Sequence, residues 1–456
     1  MNSSETAPAR GTAVVIGGGL AGVVAAWALR GRAERIVVVE RDRYPDAPAF
    51  RAGVPQGRHA HLVLEAGHRA LEELMPGIKQ ELTDAGAHRV STSGDLRWLS
   101  SAGWMADYPA RLAFLSCTRP VLDKVVLDRV RTEPSIEFLE GTDVVGLLGS
   151  AQRVTGVKVR ERGRERGDVQ DRGDVQGRGE VREIPAELVI DAAGRSTSVP
   201  KWLGELGRPV PEERVDAGVA YASRLFHRPP GVDLGHQAVY LQTKAPDKPR
   251  MGVLLPVEGD RWIVSLAGMR GAEPAPGTEG FTEHLSRLRD PALAEMLRGA
   301  EPAGEVRGFL PGPGVRRHYE RGAPDGLVAV GDAASTFNPV YGQGITVSLF
   351  CAQVLRRTAA RHGGVGPATA RDARREIAAV SKTAWMMSSA EDVRFAATTG
   401  GPSGALIRLQ HRYLDKVLRG ATHNPEITAA FHEVLSLVAP PTRLFHPAVV
   451  AAVLRG

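Results

Sequence analysis

The chain has 456 residues, 43% of them apolar, and two cysteines, Cys117 and Cys351. This is enough apolar material for a sizeable core in two or three domains, so the chain is not disordered; two thiols exclude a disulfide scaffold or a multi-thiolate metal site and fit a reducing, cytoplasmic setting. The net charge of +6 is dispersed over 58 basic and 52 acidic side chains, which offers no clustered face to nucleic acid.

After ten polar residues, positions 12–16 (TAVVI) read as a buried parallel strand, 20–29 as an Ala/Val/Leu-rich helix and 35–40 (RIVVVE) as a second buried strand. The uncharged run 11–29 has the outline of an export signal, but Gly17, Gly18, Gly19 and Gly22 interrupt it. No other run approaches the roughly 20 apolar residues of a spanning helix. Helical spacing recurs over 67–75 and 120–130, and strands are predicted at 136–139, 144–148, 154–159 and 188–190. Residues 160–183 hold a charged repeat with two copies of Arg-Gly-Asp-Val-Gln, which reads as a solvated hairpin loop. Alternation over 215–270 predicts an antiparallel sheet with one covered face, on which Tyr221, Arg224, Tyr240 and Trp262 are cavity candidates, half of them expected to face away. A buried strand returns at 327–332 (LVAVGD), followed by a helix from about 344, and the last hundred residues read as helices broken at 400–402, 420, 425 and 440–441.

Two motifs carry chemistry. Gly17-x-Gly19-x-x-Gly22 lies between a strand and a helix, where the glycines permit a tight turn, a close approach of pyrophosphate and helix packing. Glu40 closes the second strand, 18 residues beyond Gly22, where a carboxylate can accept from a ribose hydroxyl; Arg41 beside it is counted in the same dinucleotide set. Far downstream, Asp332 ends a strand, Pro339 fixes the chain, and Gly342 and Gly344 open a helix whose N–H groups can face developing negative charge. A nicotinamide enzyme has no need of this second element, whereas a flavin has a polyol chain and an anionic reduced ring to hold. His59 and His61 share a face of an extended segment but lack a third partner for a metal, so no metal is expected.

Together these elements resemble the flavoprotein monooxygenases of the para-hydroxybenzoate hydroxylase class. Gly331-Asp332 matches their ribityl-binding motif. Residues 188–196 (LVIDAAGRS) resemble their second fingerprint, with two alanines separating Asp191 from Gly194 where the pattern has none. The resemblance places Arg51 and Arg119 on FAD, Val144 at the adenine, and Val54, Gln56, His59, His61 and Pro339 near the flavin ring. The segment 54–61 (VPQGRHAH) and the C-terminal RLFHPAVVAAVLRG are more narrowly similar to actinobacterial FAD-dependent epoxidases acting on polyene precursors of polyethers.

The resemblance implies an α/β fold. A Rossmann-like FAD-binding domain would come from residues 1–90, 114–200 and 320–400, an α+β substrate domain with an antiparallel sheet from 91–113 and 201–319, and closing helices from 401–456. It also implies O₂ chemistry through a flavin hydroperoxide, and a large apolar substrate epoxidised at an alkene, the alternative being an aromatic hydroxylase. NAD(P)H would bind transiently, or a separate reductase would deliver electrons. Flavin-dependent halogenases share the fold, but the strand comparable to their Trp-x-Trp-x-Ile-Pro reads Gly252-Val-Leu-Leu-Pro256 here. An isoprenoid-saturating reductase remains a further reading on the same fold.

Overall fold

Runs such as TAVVI, RIVVVE and LVID have no polar face, so they can be satisfied only where both sides are covered. The computed structural model describes residues 11–109, 111–163, 179–231 and 235–455. At its centre five parallel strands follow the order Leu327–Ala329, Leu188–Asp191, Thr12–Ile16, Arg35–Glu40, Ile136–Glu140. Their central residues, from Ala13 to Val15, Ile36 to Val38 and Leu188 to Ile190, are fully buried. The helix Leu20–Ala28 lies on this sheet, with Arg119–Arg131 and Gly344–Arg361 packed against it.

A second, antiparallel sheet joins Thr142–Gly149, Val154–Glu161 and Val181–Pro185 and packs on the strands Arg35–Glu40 and Leu188–Asp191. Arg160 pairs with Val181, so the two strands that flank the charged segment run antiparallel to each other. Both copies of its repeat, like the first ten residues, lie outside the described residues.

The alternating region forms a six-stranded sheet in the order Arg307–Phe309, Ala220–His227, Arg261–Gly268, Arg250–Val257, Ala238–Leu241, Leu96–Leu99; all pairs are antiparallel except the last. The strand period of two sends Val239, Leu254, Trp262, Val264 and Leu266 into a core beneath the helices Gly277–Ser286 and Ala292–Met296. The opposite residues, Tyr240, Met251, Val253, Leu255, Ser265 and Ala267, face a cavity. The helices Pro367–Asp392, Ala405–Gly420, Pro425–Leu435 and Pro447–Arg455 complete the molecule, the last three around a cluster of their own. Asn424 caps the third of these, accepting from the N–H groups of Glu426 and Ile427 with Pro425 at the first helical position.

Two features differ from the sequence reading. The strand at 327 stops at Ala329, and Gly331-Asp332 lie in a tight helical turn, Gly331–Ala333. Gly331 has φ +57°, and a Cβ there would strike Ala21 and Ser348, so only glycine allows the turn and the helices beside it. The pairing of Glu212–Asp216 with Gly314–Arg317 carried no apolar alternation to betray it. Polar side chains line it instead: Arg317 pairs with Glu212 at 3.0 Å, and His318 lies within hydrogen-bond reach of Glu213 at 2.8 Å.

The fully buried Ile190 sits mid-strand between two paired neighbours. Ile190→Ala is expected to cost about 3 kcal/mol of stability, read as a lower midpoint in urea unfolding.

Candidate functional site

The strand Thr12–Ile16 ends in a turn made by Gly17, with φ +96° and an N–H donated to the Val39 carbonyl at 2.8 Å. A Cβ on Gly17 would strike the Ala192 carbonyl, and one on Gly22 would run into the Gly17 carbonyl, so both glycines let the turn close on its neighbours. Gly19 differs: a Cβ there would meet nothing within 4 Å. It stands open at the start of the helix Leu20–Ala28, whose first internal bond runs from Val23 N–H to the Gly19 carbonyl. The N–H groups of Leu20, Ala21 and Gly22 therefore have no helical acceptor and face the region an anion would occupy. Glu40 accepts from Gly18 N–H at 2.7 Å and from Asp42 N–H at 2.8 Å, which fixes the carboxylate beside the turn with lone pairs to spare for a hydroxyl.

The neighbouring strand ends at Asp191, which is 0% exposed. Its carboxylate accepts from Thr197 Oγ1 at 2.7 Å, Ala193 N–H at 3.1 Å and the Tyr319 hydroxyl at 3.4 Å, folding residues 192–198 into the cavity wall. Burial pushes this carboxyl up to about 6, against the pull of those hydrogen bonds and of Arg317. The third strand delivers Asp332. Burial raises its carboxyl as well, opposed by Arg195, Arg119 and a hydrogen bond from Gln56. An acidic group facing two guanidinium groups at the cavity wall can accept from the hydroxyls of a polyol, and the arginines suit phosphates. The buried Arg195 Nε has no partner among the described residues, which leaves a donor for a ligand.

The loop 338–344 is tied down from a distance. Asn338 donates to Asp392 at 2.7 Å, and the Tyr341 hydroxyl donates to the same carboxylate at 2.9 Å. Burial lifts Asp392 to about 6, against these two bonds. Gly342 has φ +66° and turns the chain so that Gly344 opens the helix Gly344–Arg361.

The segment 59–61 is pinned to the substrate sheet. His59 Nδ1 lies 2.8 Å from Ser223 Oγ, Ser223 and Ser265 hydroxyls are 2.5 Å apart, and Ala60 N–H donates to Ser265 at 2.9 Å. The His59 ring meets Tyr221 edge-on, with centroids 4.4 Å apart. Burial, then the neighbouring His61 and Arg58, hold His59 down at about 3. His61 donates from Nδ1 to the His59 carbonyl at 2.9 Å, which leaves Nε2 as its acceptor nitrogen. Burial and Arg119 hold it near 4. Both imidazoles are neutral at pH 7 and are weak bases.

One cavity of about 1060 Å³ collects these parts. Gly17, Gly19, Glu40, Arg41, Val54, Gln56, His59, His61, Arg119, Val144, Asp332, Pro339, Gly342 and Gly344 line it, as do Tyr221 and Tyr240. Gly22 lies beneath the turn. Arg51 is the exception within the set expected on the cofactor: it stands off the cavity, 3.6 Å from Glu40, donating to the Gly18 carbonyl at 3.3 Å and lying over the Tyr44 ring. From there it braces the turn from behind. Arg224 and Trp262 face away, as the strand period requires for one residue in two. Sequence reasoning passed over Arg195, Asp392, Ser223 and Ser265. Arg195 had a signal, since it sits in the second fingerprint; the others are joined to the site only by the fold. Among the described residues no group of His, Cys, Asp and Glu could hold a metal.

Comparison with known proteins agrees with this geometry. A family model of FAD-dependent oxidoreductases matches residues 13–172. Protein Rv3254 of Mycobacterium tuberculosis (strain ATCC 25618 / H37Rv) is 31% identical over 452 residues, covering 93% of this chain and 89% of the relative. A 6-methylpretetramide 4-monooxygenase of Streptomyces rimosus is 24% identical, covering 74% and 72%. The solved structure of the flavin-dependent brominase Bmp2 superposes with a TM-score of 0.68 over 98% of each chain at 13% identity, a likeness of fold alone.

Asp332→Ala is expected to yield protein that purifies without FAD and recovers little yellow colour when FAD is added; a fully yellow variant would remove Asp332 from the cofactor set. Asp191 keeps its proton to higher pH in the folded state (about 6) than the ordinary carboxyl of an unfolded chain. The folded state therefore binds more protons between those values, and stability from this group falls as pH rises from about 4 to 6. In urea titrations, wild type should gain on Asp191→Asn as pH is lowered from 6 to 4.

Proposed function

Because the chain belongs to the family of FAD-dependent oxidoreductases, we propose that it is a monooxygenase that epoxidises an alkene of a large apolar substrate. The observation that carries this reading is the change of character along the cavity. Its arginines, Arg41, Arg119 and Arg195, belong to the segments around the glycine turn, Asp332 and the second fingerprint. The wall formed by the six-stranded sheet and the C-terminal helices is made of Trp98, Tyr240, Met251, Phe309, Phe431 and their neighbours, and it contributes no lysine or arginine. Such a wall recognises a largely apolar molecule by burial and offers a carboxylate or phosphate no lysine or arginine to pair with.

Bound FAD would supply the oxidising chemistry by activating O₂ once reduced. Gly17, Gly19 and the free N–H groups after them would take its pyrophosphate, Glu40 its ribose and Asp332 its polyol chain. The helix start at Gly344 would face the charge of the reduced ring. The anchored loop 338–344 and the sheet wall would hold the substrate in place and keep water out. Epoxidation of an alkene requires no proton abstraction from the substrate. Hydroxylation of a phenol is helped by a base with a pKa near the operating pH, and His59 and His61, held at about 3 and 4, are poorly matched to that task. NADH, NADPH or a separate reductase would deliver the electrons.

The purified chain is expected to show a flavin absorption spectrum. Without oxygen, NADH or NADPH should bleach it faster in the presence of a polyene than of a phenol. Faster bleaching with phenols alone would select the hydroxylase, bleaching only through an added reductase would move electron delivery to a partner, and a colourless chain that takes up no FAD would overturn the reading.

A further inference from the structure

We propose that the end of the cavity walled by the C-terminal helices opens onto a docking surface for an anionic lipid bilayer. Exposed lining residues mark where the cavity reaches the surface, and two groups of them stand out. One is at the cofactor end, around Arg41, Ser196 and Ser198; the other lies among the C-terminal helices, around Met386, Gln410, Thr442 and Phe445. At this second opening the apolar side chains are not sheltered. Met386 is 50% and Phe445 56% exposed, and Leu406 and Leu409, one turn before Gln410 and Tyr413, are 70% and 62% exposed. Among the described residues, most of the large hydrophobic side chains that stand exposed belong to these helices and the short turn between them. The turn is tied to the helix Ala405–Gly420: the Tyr413 ring stacks on Phe445 with centroids 4.6 Å apart, and the Tyr413 hydroxyl donates to the Leu444 carbonyl at 2.5 Å.

The exposed charge of these helices is mostly positive, and Arg412 and Lys416 flank Leu409 at helical spacing. Lys382, one turn before Met386, and Arg408, Arg412, Lys416 and Arg419 on the helix Ala405–Gly420 are exposed, and none has an ion-pair partner among the described residues. Of the acids nearby, Asp415 and Glu391 share Arg394, at 2.9 and 3.0 Å, and Glu433 is paired with Arg443 at 2.6 Å. Apolar tips beside unpaired cations match the two layers of an anionic membrane, acyl chains below and phosphates above. A second copy of this chain fits poorly, because a two-fold contact would press the same cations against one another. No helix among the described residues is long and apolar enough to cross a membrane, so the contact would be peripheral. A substrate dissolved in the bilayer would then enter the cavity without crossing water. The docking itself stands on exposure and charge; only the identity of what enters rests on the function proposed above.

The test is co-sedimentation of the full FAD-loaded chain with vesicles of phosphatidylcholine alone or mixed with phosphatidylglycerol. Binding is expected only to the mixed vesicles and should weaken as salt is raised. Leu406→Ser with Leu409→Ser, or Arg408→Glu with Arg412→Glu, should each lower it at least about tenfold while leaving the flavin spectrum and urea midpoint unchanged. None of the four residues lines the cavity. No binding to anionic vesicles, binding that both double variants retain, or a dimer in light scattering that these substitutions dissociate would each overturn the proposal. A protein that binds vesicles but epoxidises nothing would sink the proposed reaction and leave the docking surface standing.

Discussion

The register of three parallel strands is the constraint on which the rest depends. Ile16 pairs with Asp191, and Asp191 with Ala329, so the glycine turn, the loop 192–198 and the Asp332 turn leave the sheet side by side. These segments are separated by well over a hundred residues in the chain, and no local preference draws them together. Hydrogen-bonded pairing and the burial of a β-branched face do so, and a ligand bound at the carboxyl ends of such strands meets all three at once. Asp191 shows how tight the arrangement is. A fully buried carboxylate is costly unless its hydrogen bonds are met, and here the partners that meet them are the backbone and side chains of the loop that forms the wall.

The second constraint is the join between the segment 59–61 and the six-stranded sheet. It is made by short polar contacts at the edge of an apolar wall, through His59, Ser223, Ser265 and the Ala60 N–H. Their donors and acceptors are mutually satisfied, which makes the join directional in a way that apolar packing is not. The same burial that strengthens these bonds strips the imidazoles of their basicity, so the structure spends its histidines on holding the segment in place. Charge is segregated to match: guanidinium groups gather where phosphates and a polyol would lie, and the sheet wall carries none.

The C-terminal helices close the remaining side of the cavity and communicate with its interior through Asp392, which lies near the end of one of them and holds Asn338 and Tyr341 in the loop 338–344. The helix Ala405–Gly420 is packed in its second half and bare in its first. It therefore forms a wall of the cavity and its outer rim together, which ties access to the cavity to whatever that rim rests upon.

The sequence by itself determined the features whose cause is local. The period of hydrophobicity distinguished the buried parallel strands from the half-covered antiparallel ones. Glycines at 17 and 22 announced a turn that only glycine can make, with Gly19 open beside it, and the prolines and glycines after residue 400 set the helix breaks. The resemblance of its motifs indicated a flavoenzyme fold. What only the tertiary structure decided depends on groups that meet across the chain. The resemblance places Arg51 on the cofactor, but cavity lining is a matter of side, and packing against Tyr44 and Glu40 puts it behind the turn. Asp392 has no motif, because its role comes from two partners about fifty residues earlier. The strands Glu212–Asp216 and Gly314–Arg317 were hidden because polar side-chain pairs line them, and such pairs have no period. Local sequence fixes conformation through sterics and solvation that act over a few residues. The sharing of protons and charges inside a site is settled by distance in space, which the chain acquires only when its sheets have paired.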